Sequence, residues 1–121
     1  MLLLDAWVYS QLNTGALVDK VFYAYPNNFN VLPVLAYSTS QQNSDMDYQD
    51  DFAQYWDAKI EMDLYSQNEI DDSSTLAAID TIMQNAYFNL ENCVLVPDPD
   101  TKLQHKHLEY SRRGLNASDL T

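Results

Sequence analysis

Ten consecutive residues, WDAKIEMDLY from Trp56 to Tyr65, constrain the fold more than any other stretch of this chain. Trp56, Ala58, Ile60, Met62 and Leu64 alternate with Asp57, Lys59, Glu61, Asp63 and Tyr65. Successive side chains on a strand point to opposite faces, so this alternation predicts a half-buried strand with one dry face and one wet, mostly acidic face.

The flanking segments predict what packs around that strand. Leu3, Leu4, Trp7, Val8 and Leu12 recur at helical spacing, and Asn13-Thr14-Gly15 ends that helix. Val18 to Tyr25 is rich in β-branched and aromatic residues and stops at Pro26, which predicts a short strand followed by an Asn27-Asn28 turn. Val31 to Ser40 predicts a second strand, with Pro33 near its start, where a missing N–H is least harmful. Asp71-Asp72-Ser73-Ser74 offers N-caps for a helix whose buried side carries Leu76, Ile79, Ile82, Met83, Ala86 and Tyr87. Cys93 to Val96 is a short apolar strand cut by Pro97-Asp98-Pro99-Asp100, and Leu103 to Arg113 is the last extended segment. The order α-β-β-β-α-β-β predicts an α+β domain: an antiparallel sheet of four to five strands with two helices packed on it. Residues 1–113 form that domain, and 114–121 are expected to be a short polar tail.

Charge bounds the function. With 121 residues the chain has room for one domain, and 18 acidic against 6 basic residues give a net charge of −12. So acidic a chain repels nucleic acid and anionic membrane on average. Ten of the 18 carboxylates lie between Asp45 and Asp72, where only Lys59 answers them. The start, MLLLDAW, lacks the basic region of a signal peptide, and no apolar run is long enough for a transmembrane helix. Cys93 is the sole cysteine, which excludes an intrachain disulfide and points to a small core residue.

Candidate chemical sites lose to plainer readings. His105 and His107 fall on one strand face, roughly 7 Å apart at about 3.3 Å per residue, a spacing that can chelate zinc. A site needs a third and usually a fourth ligand; Glu109 is the only local candidate, and Lys106 sets a positive charge between the rings. An exposed or interface-facing strand surface is the better account, and no metal or cofactor is expected. The tract Asp45 to Asp51 resembles a calcium loop only faintly, because Asp50 and Trp56 stand where the loop requires Gly and Glu. It reads as a solvated acidic loop. Glu61 and Asp63 share the wet face of the long strand, but a general acid needs the raised pKa that burial brings. There is no nucleophile elbow, phosphate loop or HExxH. Tyr48, Tyr55 and Tyr65 are expected outside the core, either in protein contacts or lying flat on the sheet.

Taken in order, these pieces resemble the tail-completion or tail-terminator (tail-to-head joining) proteins of long-tailed bacteriophages and of prophages of Gram-positive bacteria. The pieces are an opening helix, LLLDAWVYSQL, a Pro-bearing strand, NVLPVLAYSTS, and an acidic loop with the long strand QYWDAKIEMDLYS. The helix SSTLAAIDTIMQNAYF and the late strand KHLEYSRR complete the order. The resemblance implies a structural virion protein, not an enzyme. It implies a homo-hexameric ring that caps the tail tube and meets the head connector, assembled in the host cytoplasm and carried at the head–tail junction. DNA would pass through its acidic lumen without specific binding.

A ring built from identical subunits joins two unlike patches of the same chain. The expected contact residues are Asp45, Asp47, Asp50 and Asp51 on the acidic loop and Lys106, Tyr110, Arg112 and Arg113 on the last strand, so that opposite charges meet. Two other readings compete: an acidic DNA-mimic that inhibits a nucleic-acid-binding protein, and a metal enzyme built on His105 and His107.

Overall fold

The long alternating strand lies at the centre of the molecule. In the computed structural model it runs from Trp56 to Ser66 (β3) and is paired on both sides. The structure describes residues 2–26, 29, 31–43, 55–97, 99–100 and 102–120. The acidic tract carrying Asp45, Asp47, Asp50 and Asp51, and Tyr48 within it, lies outside the described residues.

Around β3 the chain places a helix α1 (Leu4–Leu12), a strand β1 (Val21–Tyr23), a strand β2 (Val34–Asn43), a helix α2 (Glu69–Asn85), and strands β4 (Asn89–Leu95) and β5 (Gln104–Leu115). Single 3-10 turns follow α1 (Gly15–Leu17) and β5 (Ala117–Leu120). The five strands stand in the order β1-β2-β3-β5-β4. The α+β architecture and the order of elements agree with the sequence reading, with one correction. β1 pairs with β2 in parallel, so the sheet is mixed rather than wholly antiparallel. β1 is only three residues long, and the ten residues between it and β2 are enough to carry the chain back to the end of the sheet where β1 began.

The alternation on β3 folds as it reads. Ala58, Ile60, Met62 and Leu64 are buried under the helices, with Leu35 and Tyr37 of β2 and Leu108 and Tyr110 of β5 on the same face. Leu4, Val8 and Leu12 of α1 and Ile79 and Met83 of α2 close that core from above, and Trp7 stacks on Phe88 with ring centroids 5.9 Å apart. α1 is pinned to β2 by polar contacts as well: the Gln41 side chain pairs with the backbone of Leu2, and Thr39 donates to Asp5 Oδ1.

α2 begins at Glu69, earlier than its Asp/Ser cluster suggests. Asn68 precedes it, and the Asn68 carbonyl accepts from the Asp72 N–H at 3.2 Å. Its far end is a Schellman turn, in which Tyr87 N–H donates to Gln84 and Phe88 N–H to Met83. Tyr87 takes the left-handed backbone there (φ +63°), a conformation glycine adopts at less cost.

Three placements differ from the sequence reading. Tyr65 is buried, because Phe29 meets its ring edge-on at 5.0 Å and His105 stacks on it at 4.2 Å. Cys93 is exposed, because β4 is an edge strand that the helices do not cover, and all seven of its residues are exposed. Finally, β5 does not stop at Arg113. A bulge with Gly114 at φ +69° carries it to Leu115, which is fully buried, and Leu120 then packs against the core.

Candidate assembly surfaces

The last strand sorts its side chains by parity. Leu108 and Tyr110 face the helices, so Lys106 and Arg112, two residues away on either side, face them too. Lys106 reaches the start of α2, where its ammonium lies 2.9 Å from Oδ2 of Asp72. Asp72 is fully buried and its oxygens accept no well-formed hydrogen bond among the described residues, so its charge depends on this ammonium and on the first turn of the helix. Arg112 reaches the other end of α2. Its guanidinium donates to the Ala86 carbonyl at 2.9 Å, pairs with Asp119 at 3.1 Å and lies over the Tyr87 ring. Tyr110 between them is fully buried and donates its hydroxyl to Asp80 at 3.0 Å; burial, reinforced by the Asp80 carboxylate, raises its pKa far above the ordinary phenol value.

These three residues were expected on a contact surface. The isolated subunit uses them to hold α2 on the sheet, and Tyr110 offers no surface at all. Of the four named on this strand, Arg113 alone is exposed, while Lys106 and Arg112 are half-buried. The signal was present in the sequence, since Lys106, Leu108, Tyr110 and Arg112 share one parity.

The opposite parity forms the sheet face away from the helices. Lys59, Glu61 and Asp63 of β3 lie beside His105, His107 and Glu109 of β5. Oδ1 of Asp63 is 2.8 Å from Nε2 of His105 and 2.9 Å from Nδ1 of His107, so one carboxylate holds both rings. Partial burial works against protonation of His107, but hydrogen bonds to Asp63 and Glu109 and the charge of Glu61 outweigh it and raise its pKa above the ordinary value. Nε2 of His107 lies 3.5 Å from Glu109, and Glu61, His107 and Glu109 bring ligand atoms within 4.8 Å of one another. Glu61 is the neighbour that counting along one strand could not supply, because it comes across the ladder from β3. The Lys59 ammonium stands 3.6 Å from Glu61 and 3.8 Å from Glu109 and supplies the positive charge that this pair requires. The arrangement is a mutually compensated polar network of mostly half-buried side chains, with acid in excess.

The two edges of the sheet are different in kind. Tyr87, Leu90 and Leu95 are 76%, 46% and 58% exposed beside β4. Val18, Tyr23 and Tyr25 are exposed at the β1 side. The surface of α2 that faces away from the sheet carries Ser73, Ala77, Ala78, Thr81 and Gln84, with no charge among them. No helix among the described residues is long and apolar enough to cross a membrane.

No protein-family model and no curated protein matches the sequence. Among solved structures, the chain is similar to a protein chain in the virion of a native gene transfer agent (GTA) particle. The likeness has a TM-score of 0.53 at 12% identity and covers 92% of this chain and 93% of that one. At that identity the likeness is one of fold, extending over nearly the whole of both chains.

Proposed function

We propose that this chain is a structural virion protein that closes as a homo-hexameric ring on the end of a phage tail tube and joins it to the head connector. The observation that carries the proposal is the near end-to-end fold likeness to a chain of a gene transfer agent virion. The ordered run of elements that resembles tail-completion proteins points the same way.

The charge distribution supports the reading. Glu61, Asp63 and Glu109 put excess acid on the face the helices leave bare, and a lumen lined in this way repels the DNA that must pass through it. The histidines and carboxylates of that face are engaged with compensating partners, and the reading gives them no catalytic step. The protein would assemble in the host cytoplasm and end at the head–tail junction.

Deleting the coding sequence from a producing strain tests this. Electron microscopy of the lysate should show filled heads and complete tails that are not joined, with joining restored by the chain supplied in trans. Joined, infectious particles from the deletion strain would overturn the proposal.

The net charge of −12 also favours a second reading, an acidic DNA-mimic that inhibits a nucleic-acid-binding protein. Salt separates the two. Binding of an acidic mimic to a basic partner weakens as salt rises, whereas contact between like-charged copies strengthens.

A further inference from the structure

β4 is an edge strand of seven exposed residues with neither lysine nor proline to guard it. Natural sheets protect such edges or cover them. Its flank carries Tyr87, Leu90 and Leu95, and α2 exposes the uncharged Ala77, Ala78, Thr81 and Gln84. The single carboxylate on β4, Glu91, accepts a hydrogen bond from Ser111. Tyr87 stands where a glycine would satisfy the turn at lower cost, with its ring largely in solvent.

The opposite edge carries the second patch. Val18, Tyr23 and Tyr25 are exposed beside β1, four strand spacings or about 19 Å from β4. Three further facts identify what covers each patch. Copies carrying −12 each repel one another across most of their surface, so they meet most closely where carboxylates are scarce: β4 carries one, Glu91, and β1 none, with Asp19 exposed two residues before it. The patches are unlike and on opposite flanks of one chain, which suits a contact that repeats head to tail; a two-fold dimer would use one patch twice. The pairing pattern also makes β4 run opposite to β1, so a copy turned about an axis along the strands sets its β1 antiparallel beside β4.

We propose that the β4 edge of one copy docks on the β1 edge of the next, so that the ring is a circle of sheets joined edge to edge. This rests on the ring reading above and names the surfaces that build it. The helix layer is the bulkier side of the sheet and takes the outer, wider circumference. The face carrying Glu61, Asp63 and Glu109 then looks inward. Five strands span about 24 Å per copy, so six copies close a circle roughly 45 Å across at the sheet.

Thiol cross-linking tests the contact. Cys93 is an exposed native thiol on β4, and Tyr23→Cys adds a second on β1, on the same side of the sheet. A short bismaleimide is applied to the native chain, to Tyr23→Cys, and to Tyr23→Cys with Cys93→Ser, in solution and on particles from a strain carrying each variant. Tyr23→Cys should give a ladder of dimer, trimer and higher species. The two single-thiol chains should each stay monomeric alone and give covalent dimers, and nothing larger, when mixed. Dimers from the native chain alone would show β4 meeting β4 and overturn the proposal. Variants that join heads to tails normally yet give no ladder on the particle would overturn this contact while leaving the junction role standing. Failure of both would remove both.

Discussion

Three side chains on β5 change meaning once their direction is known. Lys106 approaches a fully buried Asp72, so Lys106→Ala leaves an uncompensated buried charge and should cost about 3 kcal/mol in urea unfolding. The double variant Lys106→Met with Asp72→Leu should recover most of that loss, because it removes the desolvated charge with its partner. An unchanged midpoint for the single variant would contradict the pairing. Tyr110→Phe removes only the bond to Asp80 and should cost about 1 kcal/mol. On the other parity, a raised His107 pKa means that the folded state favours the protonated ring. That contribution is complete below the ordinary value of about 6.5 and is lost as pH rises through the folded value. Asp63→Asn should therefore lower the His107 pKa in an NMR titration and flatten this part of the stability–pH curve. Both groups of residues were visible in the sequence as one basic, histidine-bearing segment. What separated them was the parity set by Leu108 and Tyr110, which outweighs the local clustering of charge.

At the scale of elements, α2 is held at both ends by cations from one strand, Lys106 near its start and Arg112 at its last carbonyls. Cations near a helix C-terminus also suit its dipole. Arg112→Ala should cost about 2 kcal/mol and speed amide exchange in the last turn of α2 and in Ala117–Leu120, which Asp119 ties to the same guanidinium. Arg113→Glu should leave exchange at those sites unchanged. A double replacement of both arginines would confuse folding with assembly, so Arg113→Glu alone reports on the surface. The strongly patterned elements were legible in the sequence: α1 by its Leu4-Val8-Leu12 spacing and β3 by its alternation. β4 was legible as a strand but not as an edge, since a short apolar run reads alike whether a helix covers it or a neighbour must. The parallel β1–β2 pair was hidden for a related reason, as local turn residues do not reveal which way a returning strand runs.

For the whole molecule, charge decides how copies can meet. Of the cations expected to meet an acidic loop, two, Lys106 and Arg112, are half-buried and paired with Asp72 and Asp119 of their own chain. In the proposed ring, the two carboxylate-poor edges serve as the contact and the acidic sheet face as the lumen. Such an assembly works against self-repulsion, so sedimentation should show larger species as salt rises from about 0.01 M to about 0.1 M, where the screening length falls from about 30 Å to about 10 Å. Dissociation over that range would contradict it. The proposed ring can be weighed. Light scattering on the purified chain, alone and after incubation with tails from the deletion strain, measures it directly. A species of six subunit masses in solution, or six copies gained by each tail, is expected. A chain that stays monomeric or dimeric and leaves no copies on the tails would contradict it.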